Sequence, residues 1–216
     1  MRSGAQEPDT GAMSTQVTAI VLAAGESSRM GRPKPLLPLN GETFLGHLLG
    51  EIRASRVSRT VLVLGYKPET ILEAMPDLAP IAVINPSYQL GQLSSLQVGL
   101  DAVGGEADAI LMCLADHPFI TRQVIDALIE AFEHTQRPII VPTYGGRRGH
   151  PTLFARSLFA ELRAAPLDQG ARVVVRAHAP ELLELATDEV GIVADVDTPE
   201  QYEQWLAHWR SRRGVS

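Results

Sequence analysis

The sequence is poor in three features that would each define another class of protein: cysteine, long apolar runs and clustered positive charge. Its one cysteine, Cys113, excludes an internal disulfide framework, and the apolar residues around it predict a buried small hydrophobic side chain instead of a catalytic thiol. No apolar run reaches the ~18 residues of a membrane-spanning helix, and the N-terminus lacks the apolar centre of a secretory signal. The formal charge of −6, without a basic stripe, argues against nucleic acid as the main partner. We therefore expect a cytoplasmic protein with neither a membrane nor a nucleic acid as its partner.

The composition is that of a globular protein with one substantial core. Hydrophobic residues make up 45% of the 216 residues and charged residues 20%, which argues against disorder through most of the length. Residues 1–16 are polar and show no periodicity, so we expect a disordered leader there. We expect residues 17–216 to form a single domain.

Predicted strands and helices alternate along most of the chain. Strands are expected at Val17–Leu22, Thr60–Leu64, Ile81–Ile84, Ala109–Leu114, Pro138–Val141, Thr152–Phe154, Leu182–Leu185 and Gly191–Ala194. Helices are expected around Phe44–Ile52, from Pro68, around Leu93–Leu100, after Thr121 and from Pro199. Strands that are apolar throughout are covered on both faces, which indicates a mostly parallel sheet between two helix layers. The expected fold is a three-layer, Rossmann-like α/β fold, with ligands at the carboxyl ends of the strands.

The loop after the first strand has the features of a phosphate-binding turn. It runs through Ala23-Ala24-Gly25-Glu26-Ser27-Ser28-Arg29-Met30-Gly31-Arg32-Pro33-Lys34. Small residues and a glycine let the backbone turn sharply and expose N–H groups, while Arg29 and Lys34 add positive charge. A Walker loop is excluded because Lys34 is flanked by prolines, and a dinucleotide fingerprint is excluded because no glycine lies two residues after Gly25. The alternative is an ordinary strand-to-helix turn with two solvated basic residues.

Three aspartates follow predicted strands. Asp116 comes almost directly after the strand ending at Leu114, which puts a carboxylate at the edge where the first loop lies. Asp195 and Asp197 follow the strand predicted to end at Ala194, and alternation along an extended chain aims both the same way. Because Mg²⁺ takes few carboxylates and shares its shell with phosphate oxygens, two strand-end carboxylates suit a nucleotide-bound ion. The alternative for Asp197 is a cap on the last helix.

Two histidines are expected near the same edge. His117 follows Asp116, and His150 lies in the glycine- and arginine-rich loop Tyr144–Pro151, which is typical of a substrate-binding loop. Neither histidine has a His or Cys at metal-ligand spacing, so a zinc site is not expected. The loop can also be an ordinary surface turn, and Asp168–Arg172 can be only a helix cap.

Six segments together resemble the MobA/MocA-type nucleotidyltransferases. In chain order they are LAAGESSRMGRPKPLLPL, NPSYQLGQLSSLQVGL, LADHP, GGRRGHPTLF, LDQGAR and ADVDTPEQY. The resemblance spans about Thr18 to Trp205 and is strongest to the branch that cytidylylates the molybdenum cofactor. It implies a Rossmann-like fold of the nucleotide-diphospho-sugar transferase type. It also implies a reaction in which the terminal phosphate of molybdopterin attacks the α-phosphorus of CTP and releases pyrophosphate.

The same resemblance implies roles for individual residues, with Arg29 on the β- and γ-phosphates, Lys34 on the α-phosphate and Ser95 on the base or ribose. The implied nucleotide-binding residues are Leu22, Ala23, Ala24, Gly25, Arg29, Lys34 and Ser95. The implied catalytic residues are Lys34, Arg29 and Asp116. The implied magnesium ligands are Asp116 and Asp195, with Asp197 as an alternate. The implied substrate-facing residues are His150, Gly149 and His117, although the family usually has Gln at the position of His117.

The nucleotide and the acceptor are less well defined by the sequence. Guanylyltransferase relatives resemble LAGG where this chain has LAAG, and the added methyl of Ala24 is worth about 1–3 kcal/mol of discrimination, so GTP stays open beside CTP. One rival function is a sugar- or polyol-phosphate nucleotidyltransferase, against which the Gly149-His150-Pro151 sequence argues. Another is a non-catalytic carrier that delivers the cofactor to a molybdenum hydroxylase or its maturation chaperone. A carrier does not require the four charged residues Arg29, Lys34, Asp116 and Asp195.

Overall fold

A computed structural model describes residues 14–213, apart from the side chains of Arg29, Arg212 and Arg213. Most of the expected leader falls on residues 1–13, which lie outside the described residues. The last residue of the expected leader, Gln16, makes two hydrogen bonds with Asp108. Its N–H donates to Asp108 Oδ2 at 2.9 Å, and its carbonyl accepts from the Asp108 N–H at 2.7 Å.

The described residues form alternating strands and helices. The strands are β1 Val17–Ala23, β2 Pro38–Leu39, β3 Glu42–Thr43, β4 Arg59–Leu64, β5 Ala82–Ile84, β6 Ala109–Leu114, β7 Ile139–Tyr144, β8 Arg147–Arg148, β9 Thr152–Ala155 and β10 Leu183–Ala186. The α-helices are α1 Phe44–Ala54, α2 Pro68–Ala74, α3 Gln92–Ala102, α4 Arg122–Thr135, α5 Phe159–Ala164, α6 Arg172–Ala177 and α7 Pro199–Arg213. Short 3₁₀ turns cover Ser28–Met30, Lys34–Leu36, Pro76–Ile81, Tyr88–Leu90, Arg156–Leu158 and Val190–Val193.

A mostly parallel sheet lies at the centre, as predicted. In the described part of the chain its order is β10-β7-β9-β6-β1-β4-β5, with β8 paired to β7. Strand β1 is parallel to both β4 and β6, and Leu22 pairs with Val63 on one side and Leu114 on the other. Two strands are exceptions in the described part of the sheet: β9 runs antiparallel between β6 and β7, and β8 is antiparallel to β7. The carboxyl ends of β1 and β6 therefore meet at one edge.

Apolar side chains cover both faces of the sheet. Alternate β1 residues point to opposite sides, so that Val21 packs in one cluster with α1 and α4 while Ile20 packs in the other with α3 and α5. Burial of these two clusters is the main stabilising term of such a three-layer fold. A third cluster joins the segment after β1 to α7 through Phe44, Phe119 and Tyr202. Helix α7 thereby covers the loop that follows β1.

One predicted strand is absent from the structure, and most of the others differ from it only in their end residues. The segment expected as a strand at Gly191–Ala194 is a 3₁₀ turn over Val190–Val193, so that prediction was wrong. A Cβ at Gly191 would lie 2.2 Å from the Phe119 carbonyl oxygen, which shows how tightly this turn packs against its neighbours without joining the sheet. Strand β5 begins at Ala82 because a 3₁₀ turn occupies Pro76–Ile81. No helix in the described part of the chain is both long and apolar enough to cross a membrane.

Packing of α3 against the sheet depends on the absence of a side chain at Gly99. A Cβ there would lie 2.4 Å from Ile20 Cγ2 and 3.1 Å from Val63 Cγ2. We predict that Gly99→Ala lowers the free energy of unfolding by about 1–3 kcal/mol in urea titrations, because a methyl overpacks this contact. Gly50→Ala in α1 is the matched control, since, apart from its two chain neighbours and the backbone of α1 itself, no described residue has an atom within 4 Å of that Cβ. This substitution should stabilise the protein by up to about 1 kcal/mol. Equal effects of the two substitutions would contradict the packing argument.

Candidate active site

A cavity of about 290 Å³ opens at the carboxyl ends of β1 and β6. It is lined by Leu22, Ala23, Ala24, Gly25, Ser27, Lys34, Pro35, Tyr88, Gly91, Gln92, Ser95, Leu114, Ala115 and Asp116. Six of the seven predicted nucleotide-binding residues therefore share one cavity with Asp116. The seventh is Arg29, whose side chain lies outside the described residues. The structure brings the predicted residues together, and their individual roles stay predictions.

The loop between β1 and Lys34 turns at other residues than expected. Positive φ values occur at Ser27 (54°) and Gly31 (66°) and not at Gly25. The Ser27 hydroxyl accepts a hydrogen bond from the Lys34 N–H at 2.9 Å, which draws the two ends of the loop together. Apart from its two chain neighbours, no described residue has an atom within 4 Å of a Cβ built at Gly25. Gly25 is thus not needed for the turn, but it leaves backbone open at the cavity wall where a ligand can approach closely.

Lys34 lies between two carboxylates. Its ammonium donates a hydrogen bond to Asp197 Oδ1 and lies 3.6 Å from Asp116 Oδ2. The Lys34 side chain is 13% exposed, against 35% for Asp116 and 25% for Asp197. Such a charge is stable only when paired, and the pairing also orients the ammonium. Among the described side chains, the site thus brings one ammonium and two carboxylates together at the strand ends.

The three predicted metal ligands are not equivalent. Asp116 and Asp197 contact Lys34, whereas Asp195 is exposed. A backbone hydrogen bond of 3.0 Å from Val196 N–H to the Asp116 carbonyl holds the two strand-end segments together. The described residues contain no group of three or more His, Cys, Asp or Glu side chains arranged to hold a metal ion. A metal ion would therefore need phosphate oxygens in addition to these carboxylates.

Asp197 is not the cap of the last helix. The cap is Thr198, whose hydroxyl accepts from the Gln201 N–H at 3.3 Å. Gln201 Oε1 in turn accepts from the N–H groups of Asp197 (2.8 Å) and Thr198 (3.0 Å). This reciprocal pair is a capping box, and it leaves the Asp197 carboxylate to bind Lys34.

His117, which is buried, and the half-buried His150 lie next to each other, with His117 beside the carboxylates. Their ring centroids are 5.0 Å apart, and the described residues provide no hydrogen-bond partner for either Nδ1. Burial lowers the pKa of His117. The charges of Asp116 and Asp195 and a hydrogen bond to the Ile192 backbone act in the opposite direction and raise it. Burial, with a smaller effect of His117, lowers the pKa of His150 to about 3. His150 is therefore neutral near pH 7.

Gly149 has a packing requirement in addition to its predicted substrate role. Its N–H donates to the Pro142 carbonyl at 2.9 Å, and a Cβ on it would lie 2.3 Å from the Ile192 carbonyl oxygen. That same carbonyl accepts the N–H of His150 at 2.9 Å. Gly149 thus lets the 3₁₀ turn approach the histidine loop.

A second cavity of about 610 Å³ adjoins the first and shares Gly91 and Gln92 with it. It is lined by Gln89, Leu90, Gly91, Gln92, Leu93, Met112, His150, Thr152, Phe154, Leu167, Asp168, Gly170, Ala171, Arg172 and Val175. The segment Asp168–Arg172 is thus part of a cavity wall. Its interpretation as a helix cap was wrong, because no side chain caps α6, which begins after Ala171.

Sequence reasoning assigns no role to Tyr88 or Asn85. Tyr88 lines the first cavity, and Asn85 binds the hydroxyl of Ser95, which also lines it. Both follow β5 at the edge where ligands are expected. Polar residues directly after a predicted strand are the signal that could have found them.

The model for the MobA-like NTP transferase domain matches residues 19–182. The chain belongs to this family. This MobA-like protein is therefore a nucleotidyltransferase with the expected type of α/β fold. It is 28% identical over 187 residues to the molybdenum cofactor cytidylyltransferase of Escherichia coli K12. This match covers 86% of this chain and 93% of that protein. It is 30% identical over 202 residues to nicotine blue oxidoreductase of Paenarthrobacter nicotinovorans, which covers 88% of this chain and 96% of that protein.

Other comparisons place the MobA-like protein in a wider group. Bifunctional protein GlmU of Rhodospirillum rubrum is 30% identical over 66% of this chain, but the match spans only 31% of GlmU. Rv0371c of Mycobacterium tuberculosis H37Rv superposes with a TM-score of 0.78 at 33% identity, over 89% of this chain and 99% of that chain. The manganese complex of Rv0371c gives a TM-score of 0.74 at 32% identity over the same 89% of this chain and 99% of that chain.

The half-buried His150 predicts a specific dependence of stability on pH. Its pKa falls from an ordinary value of 6.5 to about 3 on folding. Between these values the unfolded chain binds a proton that the folded chain excludes, so the free energy of unfolding falls as pH falls through this window, by about 1.4 kcal/mol per pH unit. We predict that His150→Gln makes the decrease between pH 6.5 and 4.5 shallower in urea titrations.

His178 supplies a control of opposite sign. Hydrogen bonds to Glu161 and Glu181 raise its pKa, so its stabilising contribution is present at low pH and is lost as pH rises above 6.5. His178→Gln should therefore lower stability below pH 6.5 by a constant amount, without making the decrease between pH 6.5 and 4.5 shallower. If the free energy of unfolding depends on pH in the same way for wild type and His150→Gln, His150 is protonated as readily in the folded protein as in the unfolded chain.

Proposed function

We propose that the protein is a magnesium-dependent cytidylyltransferase that transfers CMP from CTP to molybdopterin and releases pyrophosphate. The observation that carries this proposal is the placement of Lys34 between Asp116 and Asp197 in a cavity that opens beside a second, larger one. The near full-length similarity to a molybdenum cofactor cytidylyltransferase supports the choice of nucleotide and acceptor. The first cavity would hold CTP and the second would hold the pterin.

The oxygen ligands at the strand ends fit a hard cation. Asp116 and either Asp195 or Asp197 would hold Mg²⁺, which prefers carboxylate and phosphate oxygens. The related Rv0371c protein has been solved in complex with manganese, which supports the use of a divalent ion by this chain. The bound ion would neutralise charge on the triphosphate and orient the pyrophosphate leaving group.

The reaction forms one P–O bond and breaks another. The terminal phosphate oxygen of molybdopterin attacks the α-phosphorus of CTP, and the bond from that phosphorus to the β-phosphate oxygen breaks, so pyrophosphate carries away the electron pair. The attacking phosphate is already ionised, so no protein base is needed. Lys34 would stabilise charge on the α-phosphate, and the shared Gly91–Gln92 wall would align the two substrates.

The structure offers a reason to prefer CTP over GTP. Ala24 lines the first cavity, and its Cβ would lie 2.8 Å from a Cβ at Gly65. The Ala24 methyl thus lies close to Gly65 at the cavity wall, and we infer that it limits how closely a base can approach the backbone there. One methyl supplies only about 1–3 kcal/mol of discrimination, so other groups must contribute.

The test of the proposal is direct. The purified protein is incubated with molybdopterin, Mg²⁺ and either CTP or GTP, and pyrophosphate and the dinucleotide product are measured. We predict turnover with CTP that stops on removal of Mg²⁺ or of molybdopterin. Absence of turnover with both nucleotides would contradict the proposal, and turnover with a sugar phosphate in place of molybdopterin would favour the rival transferase function.

Lys34 should matter more for chemistry than for binding. We predict that Lys34→Ala lowers kcat by about 10²–10³-fold but weakens CTP binding only a few-fold, because its contact strengthens in the transition state. Steady-state rates and calorimetric titration with CTP measure the two effects. Lys67→Ala is the matched control, since Lys67 lies over the Tyr66 ring, 5.2 Å from its centroid, and does not line the cavity. Equal losses in turnover and affinity would make Lys34 a ground-state binder.

A further inference from the structure

Asn85 is a fully enclosed polar residue directly after β5. It is 1% exposed, and its side chain makes three hydrogen bonds. Oδ1 accepts from the Ser87 N–H at 2.9 Å, and Nδ2 donates to Ser94 Oγ at 2.9 Å and to Ser95 Oγ at 3.0 Å. The hydrogen-bonding capacity of the NH₂ group is therefore used in full.

The orientation of the Asn85 amide follows from its neighbours. A backbone N–H can only donate, so the atom that faces Ser87 must be the carbonyl oxygen. The NH₂ group then faces both serines. Because an amide nitrogen does not accept hydrogen bonds, the hydroxyl oxygens of Ser94 and Ser95 must both act as acceptors.

The two serines differ in the acceptors that their hydroxyl groups find. The Ser94 hydroxyl donates within the loop, with the Gly91 carbonyl at 2.8 Å and the Ser87 carbonyl at 3.1 Å. The described residues give the Ser95 hydroxyl no acceptor, and Ser95 lines the first cavity while Ser94 does not. The hydrogen of Ser95 is therefore the one available to a bound molecule.

We propose that Asn85 is a positioning residue that fixes Ser95 as a hydrogen-bond donor to the nucleoside part of the nucleotide. This inference rests on the proposed function. The ligand atom at that wall must then be an acceptor, such as the carbonyl oxygen or ring nitrogen of a pyrimidine. A guanine amino group in the same place is itself a hydrogen-bond donor, so it could not accept the hydrogen bond from Ser95. The arrangement thus adds discrimination to that supplied by Ala24.

A double-mutant cycle tests the inference. Binding of CTP with Mg²⁺, in the absence of the acceptor substrate, is measured by calorimetry for wild type, Asn85→Asp, Ser95→Ala and the double variant. Asp at this position accepts from both serines and turns the Ser95 hydrogen away from the cavity. We predict that Asn85→Asp weakens binding about five- to tenfold more in wild type than in the Ser95→Ala background. The cycle cancels any repulsion between the new carboxylate and the triphosphate, because that repulsion acts in both backgrounds.

Ser94→Ala is the matched control, since Ser94 has the same chemistry and the same Asn85 contact without access to the cavity. In the Ser94→Ala background the loss of CTP affinity caused by Asn85→Asp should be unchanged.

Equal losses of CTP affinity in wild type and in Ser95→Ala would overturn the inference while leaving the proposed function intact. If wild type binds neither CTP nor GTP, both fail. If Asn85→Asp does not fold, Ser95→Ala alone should weaken CTP binding about tenfold and Ser94→Ala less than twofold, and equal effects would overturn the inference.

Discussion

An ammonium group held between two carboxylates organises the ligand-binding edge of this sheet. The Lys34 side chain is largely removed from water, and a charge in that position is strongly destabilised unless it is paired. Its partner Asp197 is 163 residues away along the chain. The pairing forms only when the ends of β1 and β6 and the segment before α7 come together, and the hydrogen bond from Val196 to Asp116 holds two of these parts in place. The charge arrangement of the site is thus a product of the whole fold.

The same arrangement links the two ligands of the proposed reaction. If Lys34 turns towards a phosphate oxygen, its charge moves away from Asp116 and Asp197, and a cation in its place would reduce the repulsion between the two carboxylates. A nucleoside triphosphate that arrives with its divalent cation supplies the phosphate oxygen and the cation at once. The triphosphate or the cation alone supplies only one of them. Under the proposed function, nucleotide and metal should therefore bind with positive coupling.

Periodicity predicts the parts of this structure that local patterns determine, and misses those set by distant contacts. The apolar runs of β1, β4 and β6 are sufficient to place Gly25, Lys34 and Asp116 at one edge of the sheet. The run Gly191–Ala194 has the apolar pattern of a strand, yet it forms a 3₁₀ turn. Its burial comes from tight contacts with Phe119 and with the loop at Gly149, which no local spacing reveals. The pairing of Lys34 with Asp197 escapes prediction for the same reason. The metal ligands and the residues facing the pterin remain predictions.

The wall between the two cavities is connected by hydrogen bonds to one buried side chain, that of Asn85. Gly91 and Gln92 belong to both cavities, and the Gly91 carbonyl accepts from the Ser94 hydroxyl. Ser94 is held in turn by Asn85, which also holds Ser87 at the other end of the same loop. Under the proposed function, a rigid loop here would set the distance between an α-phosphorus in the first cavity and an attacking oxygen from the second. Alignment of that kind supplies a large part of the rate in reactions where the protein provides no nucleophile. Under the proposed function, Asn85 would therefore act on both substrates, although it lines neither cavity.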